Sequence, residues 1–237
     1  MKLLFLLLSG AKFGKLLTTG GTMLLSLVVY AFIFGWKYAA GFILLLFAHE
    51  MGHYLAARQR GLNVGAPTFI PFVGAWINLK DQPLDVDTEA YVGLAGPLLG
   101  TVAAIACYLA AEDGPRWLMA VAYSGFFLNL FNLLPLSPLD GGRITAVLSP
   151  RIWFAGVPLL MAMFFWHPNP MLLIIALLAA PQLMKAWKYD PSAPENLAYY
   201  TISAKKRIEY MAIYLGLAAY LAFMTYRSHE LLQVGMR

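Results

Sequence analysis

The stretch that decides the reading is Tyr38-Ala-Ala-Gly-Phe-Ile-Leu-Leu-Leu-Phe-Ala-His49-Glu50-Met51-Gly52-His53-Tyr-Leu-Ala-Ala57. It is apolar over about 20 residues, the length that crosses a bilayer as a helix, yet it holds three ionisable groups that lipid gives no reason to keep. Each ionisable side chain at mid-membrane costs about 2.5 to 3.5 kcal/mol, so retention calls for a compensating partner. His49 and His53 are four apart, which puts both on one side of a helix about 6 Å apart along its axis, close enough to clasp one metal ion. Glu50 is one step from His49, where a carboxylate can act as a general base. The pattern His-Glu-x-x-His on a helix reads as a zinc site.

The rest of the composition agrees with a membrane setting. Hydrophobic residues make up 60% of the 237, charged residues only 12%, and mean hydropathy is +0.66. Soluble domains carry about 25% charged residues. The net charge of +5 does not point to nucleic acid, because the basic residues fall singly at the ends of apolar segments and form no dense face. The single cysteine, Cys107, lies in an apolar segment and reads as a small core residue.

The chain therefore reads as an all-α polytopic membrane protein of six to seven transmembrane helices. The apolar segments run over residues 18–36, 38–57, 91–111, 117–134, 152–166, 171–187 and 208–226; the fifth is short and interrupted by Pro158. Residues 1–17 form an interfacial amino-terminal segment, 18–188 the transmembrane core, and 189–237 a linker with a final helix. With the amino terminus in the cytoplasm, inner segments collect thirteen Lys and Arg residues against four outside. That bias orients the chain and opens the site to the cytoplasm. Between the second and third spans, residues 68–79 are rich in β-branched and aromatic residues and punctuated by Pro71 and Gly74, which suggests a small hairpin. Strand edges are not tolerated in lipid, so the hairpin belongs at the interface or against the helices. Its free edge could pair with an extended peptide, or it could only plug the site.

Two histidines leave the metal short of a ligand, since catalytic zinc has three protein ligands and an open position. His167 and His229 fall at outer ends. Asp140 is the better candidate: two prolines, Pro135 and Pro138, break the fourth span just before it, and Gly141-Gly142 follows. A broken helix at membrane depth is tolerated where it lines a cavity. Taken alone, Asp140 could instead cap a helix starting at Gly141 or pair with Arg143. Asp81, Asp85, Asp87 and Glu89 could hold a metal, but read better as a solvated face or a helix cap. Gly93, Gly96, Pro97 and Gly100 read as a close-packing stripe.

With these residues in view, the chain resembles the site-2 protease family, the intramembrane zinc metalloproteases of peptidase family M50. His49-Glu-Met-Gly-His53 and Asn132-Leu-Leu-Pro-Leu-Ser-Pro-Leu-Asp140-Gly-Gly match its two signature motifs, with Gly93-Leu-Ala-Gly96-Pro97 opening the helix between them. The resemblance covers roughly residues 38–150. It implies one zinc ion held by His49, His53 and Asp140, Glu50 as catalytic base, Asn132 holding substrate, and Pro138 shaping the loop. It further implies a zinc metalloendopeptidase in a bacterial or archaeal cell membrane, cutting transmembrane protein substrates within or next to the lipid bilayer. Neither an inserted PDZ-like domain nor an appended CBS-like nucleotide-sensing domain is visible, so the chain looks like a minimal form. An intact transmembrane helix hides its peptide carbonyls, so substrates are expected to carry helix-weakening Gly, Pro or Asn near the cut.

Two rivals belong to other classes. A catalytically silent relative would bind transmembrane partners without cutting them. A metal transporter would need ligands along a path to both faces, whereas the outer half here offers almost none.

Overall fold

The computed structural model describes residues 20–70, 74–79, 83 and 85–234. The amino-terminal segment 1–17 and Asp81 lie outside the described residues.

The described chain is mostly helical. The first helix, α1 (Gly20–Phe34), meets α2 (Trp36–Gln59) at Gly35, whose φ of 84° lies in the region open to glycine and redirects the chain within one residue. Helix α2 ends in a Schellman turn. Gly61 takes φ 75°, its N–H bonds the carbonyl of Arg58, and the N–H of Leu62 reaches the carbonyl of Ala57 at 2.9 Å. Strands β1 (Val64–Ile70) and β2 (Gly74–Leu79) follow and pair antiparallel, with Val64 opposite Leu79, Ile70 opposite Gly74, and an irregularity between Val64 and Pro67.

Helix α3 (Val86–Glu112) starts at Asp85, whose carboxylate accepts from the Thr88 N–H at 2.7 Å. This is the capping role expected of the acidic stretch. Asp87 and Glu89 also serve structure. Asp87 takes Arg60 at 3.1 Å, Lys206 at 2.6 Å and the Tyr210 hydroxyl at 2.8 Å, while Glu89 accepts from the Tyr199 hydroxyl at 2.5 Å. Helix α4 (Arg116–Asn132) then gives way to turns over 133–139, where the sequence predicted a proline break. The short α5 (Asp140–Thr145) has Asp140 as its first residue and Leu139 as its cap.

A 3₁₀ turn (Pro150–Ala155) leads into α6 (Gly156–Trp166), and α7 (Pro170–Trp187) is capped by the Asn169 side chain. The expected linker at 189–196 is shorter than its sequence suggests, because Pro194 opens a further short helix, α8 (Pro194–Tyr200). Helix α9 (Ala204–Val234) packs along α4 and also meets α3 and α5, with the Tyr214 hydroxyl bonded to the Leu133 carbonyl at 2.6 Å.

Among the described residues, four helices, α2, α3, α7 and α9, are long and apolar enough to cross a membrane; α1 and the stretch Pro150–Trp166 are apolar but shorter. Such helices fit an integral membrane protein. Their outward faces agree, since Phe32, Leu177 and Phe223 are among many large apolar side chains left exposed. One continuous core, containing Leu45, Leu94, Phe126, Leu136, Ile144 and Leu221, joins α2 to α3, α4, α5 and α9.

Candidate active site

Helix α2 supplies His49, Glu50 and His53 on its buried stretch, and α3 crosses it at backbone contact. A Cβ on Gly52 would stand 2.2 Å from the Ala95 carbonyl oxygen, and one on Gly96 would stand 2.2 Å from His53 Nε2. Glycine at both positions is what lets α3 close over the histidines. The stripe is thus a packing device, as expected, and Gly96 packs on a candidate ligand.

Helix α5 brings Asp140 to the same point. His49 Nε2 and His53 Nε2 are 3.1 Å apart, and Asp140 Oδ2 lies 3.2 Å from the first and 3.3 Å from the second. All three residues are buried. Zinc bonds of about 2.0 to 2.2 Å at tetrahedral angles separate neighbouring ligand atoms by about 3.3 to 3.5 Å, so the triangle has nearly the size of one face of a zinc tetrahedron.

The outer nitrogens of the two rings support this. His53 Nδ1 lies 2.7 Å from the Val92 carbonyl, which can only accept, so Nδ1 carries the proton. His49 Nδ1 lies 2.8 Å from Asn129 Oδ1, and the Asn129 amide nitrogen donates to the Gly125 carbonyl at 2.7 Å, which turns its oxygen towards the ring. In the neutral rings both Nε2 atoms are then bare lone pairs facing a carboxylate oxygen. Three buried acceptors converging in this way repel one another unless a cation lies among them, so the donor set fits a metal ion.

Asp140 divides its oxygens. Oδ2 faces the histidines, and Oδ1 lies 3.8 Å from Arg143 Nη1, whose Nε is in turn 3.9 Å from Glu89 Oε1. The pairing with Arg143 and the place among the histidines therefore coexist. Glu50 is only 6% exposed and follows His49 directly on the same helix.

Asn129, and not Asn132, is the asparagine hydrogen-bonded to His49. The amide nitrogen of Asn132 donates to the Leu128 carbonyl at 3.1 Å, and the residue is half-buried. Asn129, 1% exposed, is the residue that sequence reasoning missed. The signal was a second amide three residues before Asn132 in an apolar helix, a placement that calls for a partner. Room for it depends on Gly100, where a Cβ would stand 2.3 Å from Asn129 Oδ1. His167 and His229 stay away from the group, and among the described residues His49, His53 and Asp140 form the one cluster suited to a metal ion.

Comparison with known proteins bears on the same residues. The model of peptidase family M50 matches residues 37–113, which include both histidines and Glu50. A zinc metalloprotease of Methanocaldococcus jannaschii is 30% identical over 124 residues, covering 48% of this chain and 36% of that protein. Rip3 of Mycobacterium tuberculosis is 35% identical over 118 residues, 45% of this chain and 30% of its own length. The matched part thus spans about a third of each relative. Among solved structures, the site-2 protease from Methanocaldococcus jannaschii aligns over 70% of this chain and 85% of its own, at 22% identity and a TM-score of 0.46. The segment 37–113, which carries the His-Glu-x-x-His motif, is thus similar to peptidase family M50.

Proposed function

We propose that the protein is an intramembrane zinc metalloendopeptidase that hydrolyses peptide bonds within or next to transmembrane segments of other membrane proteins. The observation that carries this reading is the buried triangle of His49, His53 and Asp140 with Glu50 on the same helix. The relatives named as zinc metalloproteases identify zinc as the ion.

His49, His53 and Asp140 would hold the metal. Zinc bound there supplies a Lewis acid for the scissile carbonyl and lowers the pKa of a bound water to about 7. Glu50 takes a proton from the attacking water onto its carboxylate; as the C–N bond breaks, it hands that proton to the leaving nitrogen. The Asn129 and Val92 oxygens keep the Nδ1 protons in place, so both rings present Nε2 throughout. The apolar core around the site excludes bulk water, where fixed charges act more strongly.

The finer topology belongs to the same proposal. Six to seven helices span the membrane of a bacterial or archaeal cell, with residues 18–188 as catalytic core, 1–17 as interfacial segment and 189–237 as linker and closing helix. The site opens to the cytoplasm, on the strength of the charge bias. The hairpin β1–β2 lies at the interface and pairs by its edge with an unwound substrate, while Asn132 contributes to substrate binding.

The test is co-expression of the protein, or its Glu50→Gln variant, with a panel of single-span membrane proteins. Fragments made by the parent and lost in the variant support the proposal. Stable complexes without fragments from either would refute it in favour of a silent binder, and metal uptake insensitive to the change would favour a transporter. For the hairpin, Pro introduced along its edge should slow cleavage; unaltered turnover removes strand pairing.

A further inference from the structure

A cavity of about 410 Å³ lies away from the metal-ligand group, where the segment after α5 meets the α7–α8 turn and the start of α9. Its polar lining includes Ser149, Arg151, Tyr189, Tyr200, Thr201 and Arg207, and no Asp or Glu is among its lining residues. Both guanidiniums are held by backbone carbonyls. Arg151 Nη2 donates to Tyr189 O at 2.9 Å; Arg207 donates to Leu148 O at 3.3 Å and to Tyr200 O at 3.2 Å. Among the described residues, neither forms an ion pair with a carboxylate, unlike Arg60 and Arg143. Asp190 senses the charge of Arg151, but its carboxylate accepts from the Ser192 N–H at 2.9 Å and the Ser192 hydroxyl at 2.6 Å.

Carbonyls orient a guanidinium without neutralising it. Each guanidinium has five N–H donors, so several remain unspent in both. Two fixed guanidiniums on one cavity without a carboxylate suit an anion, and their planar forks match phosphate oxygens. The surroundings add a level in the membrane. Trp187, 78% exposed, ends α7 and packs edge-on against Phe154 at 6.1 Å, and Tyr189 meets Tyr200 at 5.1 Å. Trp and Tyr gather at headgroup depth. Apolar lining from Leu148, Leu197 and Ile202 could shelter the glycerol side of a lipid.

We propose that this cavity binds a phosphate-bearing anion through Arg151 and Arg207, either the phosphate of a lipid headgroup or free phosphate. Occupancy ties the start of α9 to the segment that follows α5. The site shares no residue with the metal-ligand group, so its failure and that of the protease reading are separable.

The full-length protein in detergent micelles is titrated in separate arms with dioctanoyl phosphatidylglycerol, with phosphate-free dioctanoylglycerol and with inorganic phosphate, and bound ligand is counted by native mass spectrometry. Phosphatidylglycerol retained over dioctanoylglycerol, and bound at least tenfold more weakly by Arg151→Gln/Arg207→Gln, supports a lipid phosphate. Inorganic phosphate bound with the same dependence on the arginines supports a free anion. Equal retention of the two lipids without phosphate binding, or unchanged binding in the double variant, overturns the proposal. If the double variant does not fold, Arg151→Lys keeps the charge but loses the fork, and it should weaken binding at least threefold; no change in that variant overturns it as well.

Discussion

Replacing Asn129 by Ala tests whether the histidines are held as metal ligands. The substitution removes the 2.8 Å acceptor of His49 Nδ1 and the bond to Gly125 O, at a residue 1% exposed. Asn129 is too enclosed for bulk water to replace the acceptor, and a buried donor left unpaired costs about 1 to 3 kcal/mol. If that cost falls on the metal-loaded state, zinc affinity drops by about 5- to 150-fold at 1.4 kcal/mol per tenfold. Loss of an outer-shell partner of a ligand histidine typically costs about 10- to 100-fold in metal affinity, which agrees. The assay is a competition titration of purified protein in micelles against a chromophoric zinc chelator. Asn132→Ala is the control: its amide nitrogen bonds Leu128 O, so affinity should stay within about twofold of the parent, below 0.5 kcal/mol. A Asn129→Ala variant that binds zinc as tightly as the parent, or a larger loss in the Asn132→Ala control, refutes the argument that Asn129 orients His49.

Further outcomes follow from other contacts. Gly96→Ala drives a methyl to 2.2 Å from His53 Nε2, so zinc content by elemental analysis should fall well below one per chain, with about 1 to 3 kcal/mol of destabilisation in thermal unfolding. Asp87→Asn weakens the ties to Arg60 and Lys206, and hydrogen exchange should quicken over residues 204–210 while the core of α3 stays protected; uniform exchange would show that Asp87 does not anchor α9. Stripping zinc with a chelator should lower the unfolding midpoint of the parent but not of a His49→Ala/His53→Ala variant, because a ligand that binds only the folded chain stabilises it. Tyr199→Phe removes the hydroxyl from Glu89 and should cost about 1 kcal/mol in unfolding without changing zinc stoichiometry.

Local chemistry made much of this protein legible before any fold was known. The i, i+4 spacing of His49 and His53 holds wherever their segment is helical, and the apolar run around them forces that helix in lipid. Asp85 caps α3 through a contact three residues away, and the prolines before Asp140 end α4 because they cannot continue it. These are short-range effects, carried by backbone geometry and neighbouring side chains.

What tertiary structure alone decided lies across long separations. Which asparagine faces His49 depends on how α4 is rotated against α2, and a three-residue step along a helix is enough to exchange Asn132 for Asn129. That Gly96 abuts a histidine ring depends on the depth at which α3 crosses α2. The pairing of Asp87 with Lys206, 119 residues on, arises only because α9 folds back over the start of α3. No periodicity encodes such contacts, since each is set by the packing of several helices at once. The triangle of His49, His53 and Asp140 joins both kinds: the histidine pair is a property of one helix, and its closure by Asp140 is a property of the whole fold.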